Sequence, residues 1–390
     1  MESINITNCR AGFSLIDIKT TSFEFRKIKF DGNLNNAFYS DNSTLNLKNI
    51  TILNHNCFEK LHGCTANIYD SLIEIQFFEI NALKSHIEEG TFYFWKAEGE
   101  ISNMNFNNIQ NFKQIGSCIS GYESKLNIKN SSFSKYDSNC IYAYDSIFSI
   151  DKCQFDTNTN TINGFIGDYG AIFSVNTYMC ILDSKFIGNF FSLNGAGIYL
   201  SDSFSFLSPL KTISNTTFIR NSVRNQGGGL FLKNQNIEID NCTFLENVAE
   251  NGGAIYLYNE GKNKIVKIYG FLEIYQFYSV IKNCNFIRNK AKLDGGAFNW
   301  YGKIPNFTGL NNLFEENDAL YGLNNASFPA KLSMEIYNKM NKSDLKLIYS
   351  SFSSEKIGTV PEVSVGNQIV YDLIVSILDI DDNVVSSADG

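Results

Sequence analysis

The sequence predicts an all-β chain: a single-stranded parallel β-helix with three short strands per coil, followed by part of a β-sandwich. Three observations carry that prediction. A unit of about 27 residues recurs along most of the chain, apolar residues and asparagines keep fixed places within it, and a glycine corner closes it. A period of this length marks a solenoid, whose units bury their apolar faces only by stacking on one another.

The stretch from Ile237 to Leu257, IEIDNCTFLENVAENGGAIYL, shows the unit in full. Ile237 and Ile239 alternate with polar residues, the pattern of a strand with one face buried. Asn241, Phe244, Asn247 and Ala249 follow, and Gly252-Gly253 runs into Ala254-Ile255-Tyr256. The order is strand, corner, strand, corner, strand. With Phe244 as marker, the equivalents are Phe23, Ile52, Phe78, Phe106, Phe133, Phe155, Phe186, Phe218, Phe286 and Phe314. Aliphatic or aromatic residues stand five and seven before it, as in Ile18/Ile16, Leu47/Leu45, Ile128/Leu126, Ile150/Phe148 and Ile181/Met179. Asparagine stands three before it at Asn49, Asn103, Asn130, Asn215, Asn241, Asn283 and Asn311, and three after it at Asn158, Asn189, Asn221, Asn247, Asn289 and Asn317. The glycine corners are Gly170, Gly197, Gly229, Gly253 and Gly296 with their neighbours. Almost no helical spacing separates the strands, so a repeat of strand and helix is excluded.

In such a coil each strand pairs with its equivalent one turn on, so like side chains meet like. Phe133, Phe155, Phe186, Phe218, Phe244, Phe286 and Phe314 are expected to stack, each contact contributing roughly 0.5–1.5 kcal/mol beyond area burial. Asparagine suits the corners because it tolerates positive φ, and because stacked amides can hydrogen-bond from coil to coil. Glycine suits points where the backbone turns through positive φ, and the alanine after it suits a close approach of corners. Eleven coils at roughly 4.8 Å each make a rod on the order of 50 Å.

The interval of 42 residues between Phe244 and Phe286 holds Asn259 to Phe277, NEGKNKIVKIYGFLEIYQF, which reads as a β-hairpin leaving one corner. Long loops on rigid scaffolds carry binding, which makes Lys264, Lys267, Tyr269, Phe271 and Tyr275 the candidate binding protrusion. Because lengthening a loop costs little, an insertion without function is the competing reading. The repeat stops after Tyr321-Gly322, so residues 1–328 are assigned to the β-helix and 329–344 to a cap or linker covering its open edge. Residues 345–390 read as the start of a β-sandwich, from the alternation of Tyr371, Leu373, Val375 and Ile377. A chain stopping at Gly390, straight after an unpaired strand, is expected to be a piece of a longer protein.

The net charge of -8 and the lack of a basic stretch argue against nucleic acid. No leader and no run of about 20 apolar residues is visible, so this segment is not expected to enter a membrane. The nine cysteines do not make a disulfide scaffold. Cys153, Cys242 and Cys284 all stand two before the marker and read as small inward residues; Cys57 and Cys64 would bridge in an oxidising compartment. His55, His62 and His86 all fall in the first quarter, and His55 and His62 read as surface or core imidazoles. Asp151, Asp183, Asp240, Glu246 and Asp294 take scattered registers, unlike the paired carboxylates, some 6.5–9.5 Å apart, of an inverting glycosidase. Asp379, Asp381 and Asn383 open like a calcium loop, but Val384 and Gly390 stand where that loop needs Gly and Glu. No catalytic, metal-binding or cofactor-binding residue is expected, and no cofactor.

Phe244 and Asn247 followed by Gly252-Gly253-Ala254-Ile255 resemble the FxxN and GGAI repeat of the chlamydial polymorphic outer-membrane proteins, also seen in large protist surface proteins. The resemblance covers residues 120–322 well and 12–119 loosely. It implies a right-handed, pectin-lyase-like β-helix displayed on a surface for adhesion or as a spacer. The function expected is a non-enzymatic rod within a larger cell-surface or membrane-anchored protein, its partner an unidentified protein or glycan. A polysaccharide lyase or hydrolase on the same fold, and a purely structural spacer, are the alternatives.

Overall fold

A strand with one apolar face needs a cover, and here each coil supplies it to the next. The computed structural model describes residues 4–57, 63–85, 90–111, 118–156, 169–202, 210–259, 264–268, 271–275, 277–302, 304–327, 329–338, 344–350 and 371–379. Thirty-one strands join in one sheet wound around the rod, and the pairing of consecutive coils is parallel throughout. Phe190–Phe191, Ser222–Val223, Val248–Asn251 and Lys290–Asp294 form a second, four-stranded strip. The large sheet keeps register between the later coils, where Ile213 meets Ile239, which meets Ile281, whereas the four-stranded strip shifts between Ala249 and Asn251.

Left-handed residues turn the chain at several corners of the coil, and one column of them stands just before the marker strand. Lys27, Asn49, Phe77, Asn103, Asn130, Lys152, Asp183, Asn215, Asn241, Asn283 and Asn311 all have φ between 48° and 56°. Asparagine is the side chain that tolerates this conformation best, which explains its prevalence here. All seven asparagines read from the sequence as standing three before the marker belong to this column.

The column also fixes which residues point inward on the marker face. Strand pairing runs Ile6, Phe30, Ile52, Ile80, Phe106, Phe133, Phe155, Phe186, Phe218, Phe244, Phe286 and Phe314. Phe23 and Phe78, assigned to this column from the sequence, do not belong to it. Phe23 lies opposite Leu45 and is 44% exposed, whereas Phe78 lies between Ile50 and Met104. The cause is that single strands, Ser22–Asp31, Leu72–Ser85 and Glu98–Asn111, carry two faces in these coils. Both faces then alternate apolar and polar residues, and either phenylalanine fits the period. From Phe106 to Phe314 the rings stack at centroid separations of 4.7–5.1 Å with interplanar angles of 3–17°.

The asparagines after the marker form a second ladder, wholly inside the rod. Asn189, Asn221, Asn247 and Asn289 have no exposed surface, and Asn317 is 7% exposed. Each amide donates to the carboxamide oxygen of the next coil, at 2.9, 3.0, 2.9 and 3.1 Å from Asn189 up to Asn317. The same amide nitrogens donate to the carbonyls of Phe155, Phe186, Phe218, Phe244 and Phe286 in the coil before. Full satisfaction of this kind is what lets polar groups lie in a core. The two asparagine registers thus do different work, one turning the backbone and the other bonding the coils. Tyr136 holds the ladder register lower in the rod, and its hydroxyl donates to Asn189 Oδ1 at 2.5 Å. Asn158 lies outside the described residues.

Asn325–Ser327 pairs in parallel with Phe298–Trp300 as the last coil strand. Beyond it, Pro329–Asn338 is the central strand of an antiparallel sheet, flanked by Asp344–Ser350 and Tyr371–Asp379. The stretch 329–344, read from the sequence as cap or linker, therefore opens the second sheet, which begins at 329 rather than 345. Of the three residues that open like a calcium loop, Asp379 ends the strand Tyr371–Asp379, and Asp381 and Asn383 lie outside the described residues.

Candidate binding face

After each glycine corner the chain runs inward, outward, inward, outward. Ile255 and Leu257 are buried in the core, so Tyr256 and Tyr258 face outward. Register places Tyr142, Phe173, Tyr199, Phe231 and Tyr256 in one outward column, with ring centroids 5.1, 5.0, 4.9 and 5.6 Å apart. Their planes differ by 18° or less, so ring faces cover one another; Phe231 and Tyr256 are left only 6% and 9% exposed. Toward the N-terminus the stripe continues through Tyr122, Tyr93, Tyr69 and Tyr39, now tilted by 39–52°. The sequence reading missed this face, although its signal was there: an aromatic follows the inward aliphatic residue in Ile172-Phe173, Ile198-Tyr199, Leu230-Phe231 and Ile255-Tyr256.

Polar columns flank the stripe. Tyr169, Asn194, Gln226, Asn251, Asp294 and Tyr321 pair from coil to coil along one side. On the other, the Lys233 ammonium lies 5.8 Å from the Tyr258 ring, which stacks on Tyr301 at 5.0 Å. Burial raises the hydroxyl pKa of Tyr199, and burial with the neighbouring Tyr258 and Asp294 pushes that of Tyr256 up to about 12. Burial likewise pushes the Cys153 thiol up to about 12. Both groups keep their protons in the folded chain at pH values where the unfolded chain loses them. Their contribution to stability is present below the unfolded pKa values, near 9 for the thiol and 10 for the hydroxyl, and is lost as pH rises toward 12. The denaturant midpoint is expected to fall steadily between pH 9 and 12; a flat profile would place both groups in solvent.

The glycines divide their labour differently from the sequence reading. Positive φ falls on Gly195, Gly227, Gly252 and Gly295, whereas Gly170, Gly197, Gly229, Gly253 and Gly296 are selected by close approach. A Cβ on Gly253 would stand 2.2 Å from the Gly296 carbonyl oxygen, and one on Gly229 would stand 3.2 Å from the Phe244 ring. Cys153, Cys242 and Cys284 are buried, and each thiol donates to the carbonyl two residues before it, as the hydroxyls of Ser131, Ser184 and Thr216 do in the same register.

The candidate protrusion is a hairpin of Lys264–Ile268 and Phe271–Tyr275, with Lys264 opposite Tyr275, Lys267 opposite Leu272 and Ile268 opposite Phe271. Tyr269 lies outside the described residues, as do His62 and His86. The hairpin leaves the rod after Asn259 and returns before Ser279, and a buried polar network sits at that root. Asn259 Nδ2 donates to Ser279 Oγ at 3.4 Å, and Gln235 N donates to Asn259 Oδ1 at 3.3 Å. Lys211 Nζ donates to Gln235 Oε1 at 2.6 Å and pairs with Asp202, both side chains being 2% exposed. Burial lowers the Lys211 pKa, and the Asp202 carboxylate opposes that shift. Asp202 and Lys211 flank residues 203–209 in sequence, and the network links them to Asn259, after which the hairpin begins. Sequence reasoning passed over Lys211, which stands seven before Phe218, where an aliphatic residue belongs; opposite it is Ile237.

Outward carboxylates find cations on neighbouring coils: Glu74 with Lys48, Glu100 with Lys129, Glu238 with Lys282, and Glu246 with Arg220 and Arg288. Among the described residues, one group of three or more His, Cys, Asp or Glu side chains lies close enough to share an ion, and it is His55, Cys57 and Cys64. Also among them, no helix is long and apolar enough to cross a membrane.

The family model described as right handed beta helix region matches residues 170–338. With the coil-on-coil pairing, that match makes the fold a right-handed parallel β-helix. No characterised protein matches the sequence significantly.

Proposed function

We propose that the chain is a non-enzymatic display rod, part of a longer cell-surface protein, that holds the hairpin between Asn259 and Ser279 toward a protein or glycan partner. The observation that carries this reading is that the hairpin of Lys264–Ile268 and Phe271–Tyr275 follows Asn259, a member of the buried Asp202–Lys211–Gln235–Asn259 network inside the rod. A buried ion pair adds little stability compared with apolar packing, so its placement here suits fixing the roots of loops. Surface display rests on the resemblance of the repeat to known surface proteins. The reading as a lyase or hydrolase has less support, because the outward carboxylates described above pair with lysine or arginine across coils.

Excising 260–276 and joining the ends with two glycines tests the proposal. Beads coated with the intact rod are expected to adhere to cells and those with the shortened rod not to, while both rods unfold at the same temperature, since a surface loop contributes little to stability. Adhesion by both would leave the hairpin without a role. Adhesion by neither would favour the spacer.

A further inference from the structure

We infer that His55, Cys57 and Cys64 form a redox-gated site for a thiophilic divalent ion, zinc being the ion that suits the ligands. All three side chains have no exposed surface, and their ligand atoms lie within 4.8 Å of one another. In the structure the two sulfurs are joined as a disulfide, with Cα atoms 5.6 Å apart. A soft pair of thiolates with one imidazole matches zinc's preference for sulfur and nitrogen donors.

Two independent features point to a ligand here. His55 stands three after Ile52, the ladder register. In the coil before, Asn33 does what ladder asparagines do, accepting from Cys9 N at 2.7 Å and donating to the Ile6 carbonyl at 2.8 Å. His55 replaces that continuing amide with an imidazole beside two sulfurs. In addition, Asn36 is fully buried with neither amide atom hydrogen-bonded, and the buried Thr65 hydroxyl also has no partner. Ala37 N and Phe38 N donate to Thr65 O at 3.1 and 2.9 Å, which sets Asn36 against the Cys64–Thr65 edge. Buried orphans of this kind require an explanation, and an ion held beside them is one.

The chemistry balances as follows. A dithiol reductant attacks the disulfide, forms a mixed disulfide, and closes to its own cyclic disulfide, leaving two protein thiols. Binding of Zn²⁺ releases two protons and forms two Zn–S bonds, with the imidazole nitrogen third and the fourth vertex left to a water molecule. Oxidised or metal-loaded, the chain between Cys57 and Cys64 stays closed, so this coil is stapled in reducing and oxidising compartments alike.

The test titrates the full chain with Zn²⁺ against a chromogenic chelator, before and after phosphine reduction and anaerobic desalting. The reduced chain is expected to take up one ion and the oxidised chain none. Cys57→Ser with Cys64→Ser abolishes uptake, and His55→Asn, which restores a ladder amide, weakens it at least about 10-fold. Uptake by the double serine variant equal to that of the parent would assign the ion to other cysteines and overturn the inference, as would a reduced chain that leaves the chelator loaded. Zinc-edge X-ray absorption of the reduced parent needs no variant: two sulfurs with imidazole scattering support the site, and a shell of four sulfurs or of oxygen alone contradicts it.

Discussion

Replacing Asn247 with leucine destabilises the rod by about 3–6 kcal/mol, although the two side chains are nearly the same size. Asn247 Oδ1 accepts from Asn221 N and from Asn221 Nδ2, both at 3.0 Å, and its own amide donates to the Phe218 carbonyl at 3.0 Å. The amide also donates to Asn289 Oδ1 at 2.9 Å, so leucine breaks four bonds, and each buried group left without a partner costs about 1–3 kcal/mol because no water reaches it. Asn317→Ala, at the ladder's end and 7% exposed, is expected to cost only about 1 kcal/mol, since solvent can replace what is lost. Urea unfolding of the two variants reads the contrast. Equal losses would mean that the ladder is no more than a row of corner residues.

Phe244→Ala costs about 3–5 kcal/mol, and the loss is local. The ring lies 4.8 Å from Phe218 and 5.0 Å from Phe286, and Gly229 walls it at the corner. Rigid sheet on either side keeps the neighbouring rings from closing the gap, so most of the cavity remains. Because each coil touches only its neighbours, amide exchange should quicken in the coils of Phe218, Phe244 and Phe286 and stay unchanged around Phe106. Uniform acceleration along the rod would show that the coils are not independent units.

The sequence speaks clearly wherever one register is kept by one residue type. From Phe133 onward the inward phenylalanines, the turning asparagines and the ladder asparagines each hold a single place in the unit, and stacking amplifies that regularity. In the first coils the ring and aliphatic residues exchange places, so the period fits two answers, and Phe23 satisfies it as well as Phe30 does. The left-handed column, with lysine at 27 and phenylalanine at 77, has no single chemistry there and could not break the tie. Lys211 and Asp202 escaped because a charged residue signals exposure until its buried partner is seen. The glycine roles were blurred since positive φ and close approach demand the same residue. The stretch from 329 lacks the repeat and read as cap or linker, yet a proline can open a strand, and Pro329–Asn338 does so. Cys64 joins His55 and Cys57 only after the chain has folded back.

Every part of this account requires that equivalent residues in successive coils lie one strand spacing apart, about 4.8 Å. Thr217 and Thr243 are such a pair, directly opposite each other and partly exposed. Nitroxide labels on cysteines placed at these two positions, in a chain with Cys9 and Cys180 changed to serine, report the distance through their continuous-wave spectrum. Strong dipolar broadening, absent from either single label, is the predicted result. A doubly labelled spectrum equal to the sum of the single ones would contradict it.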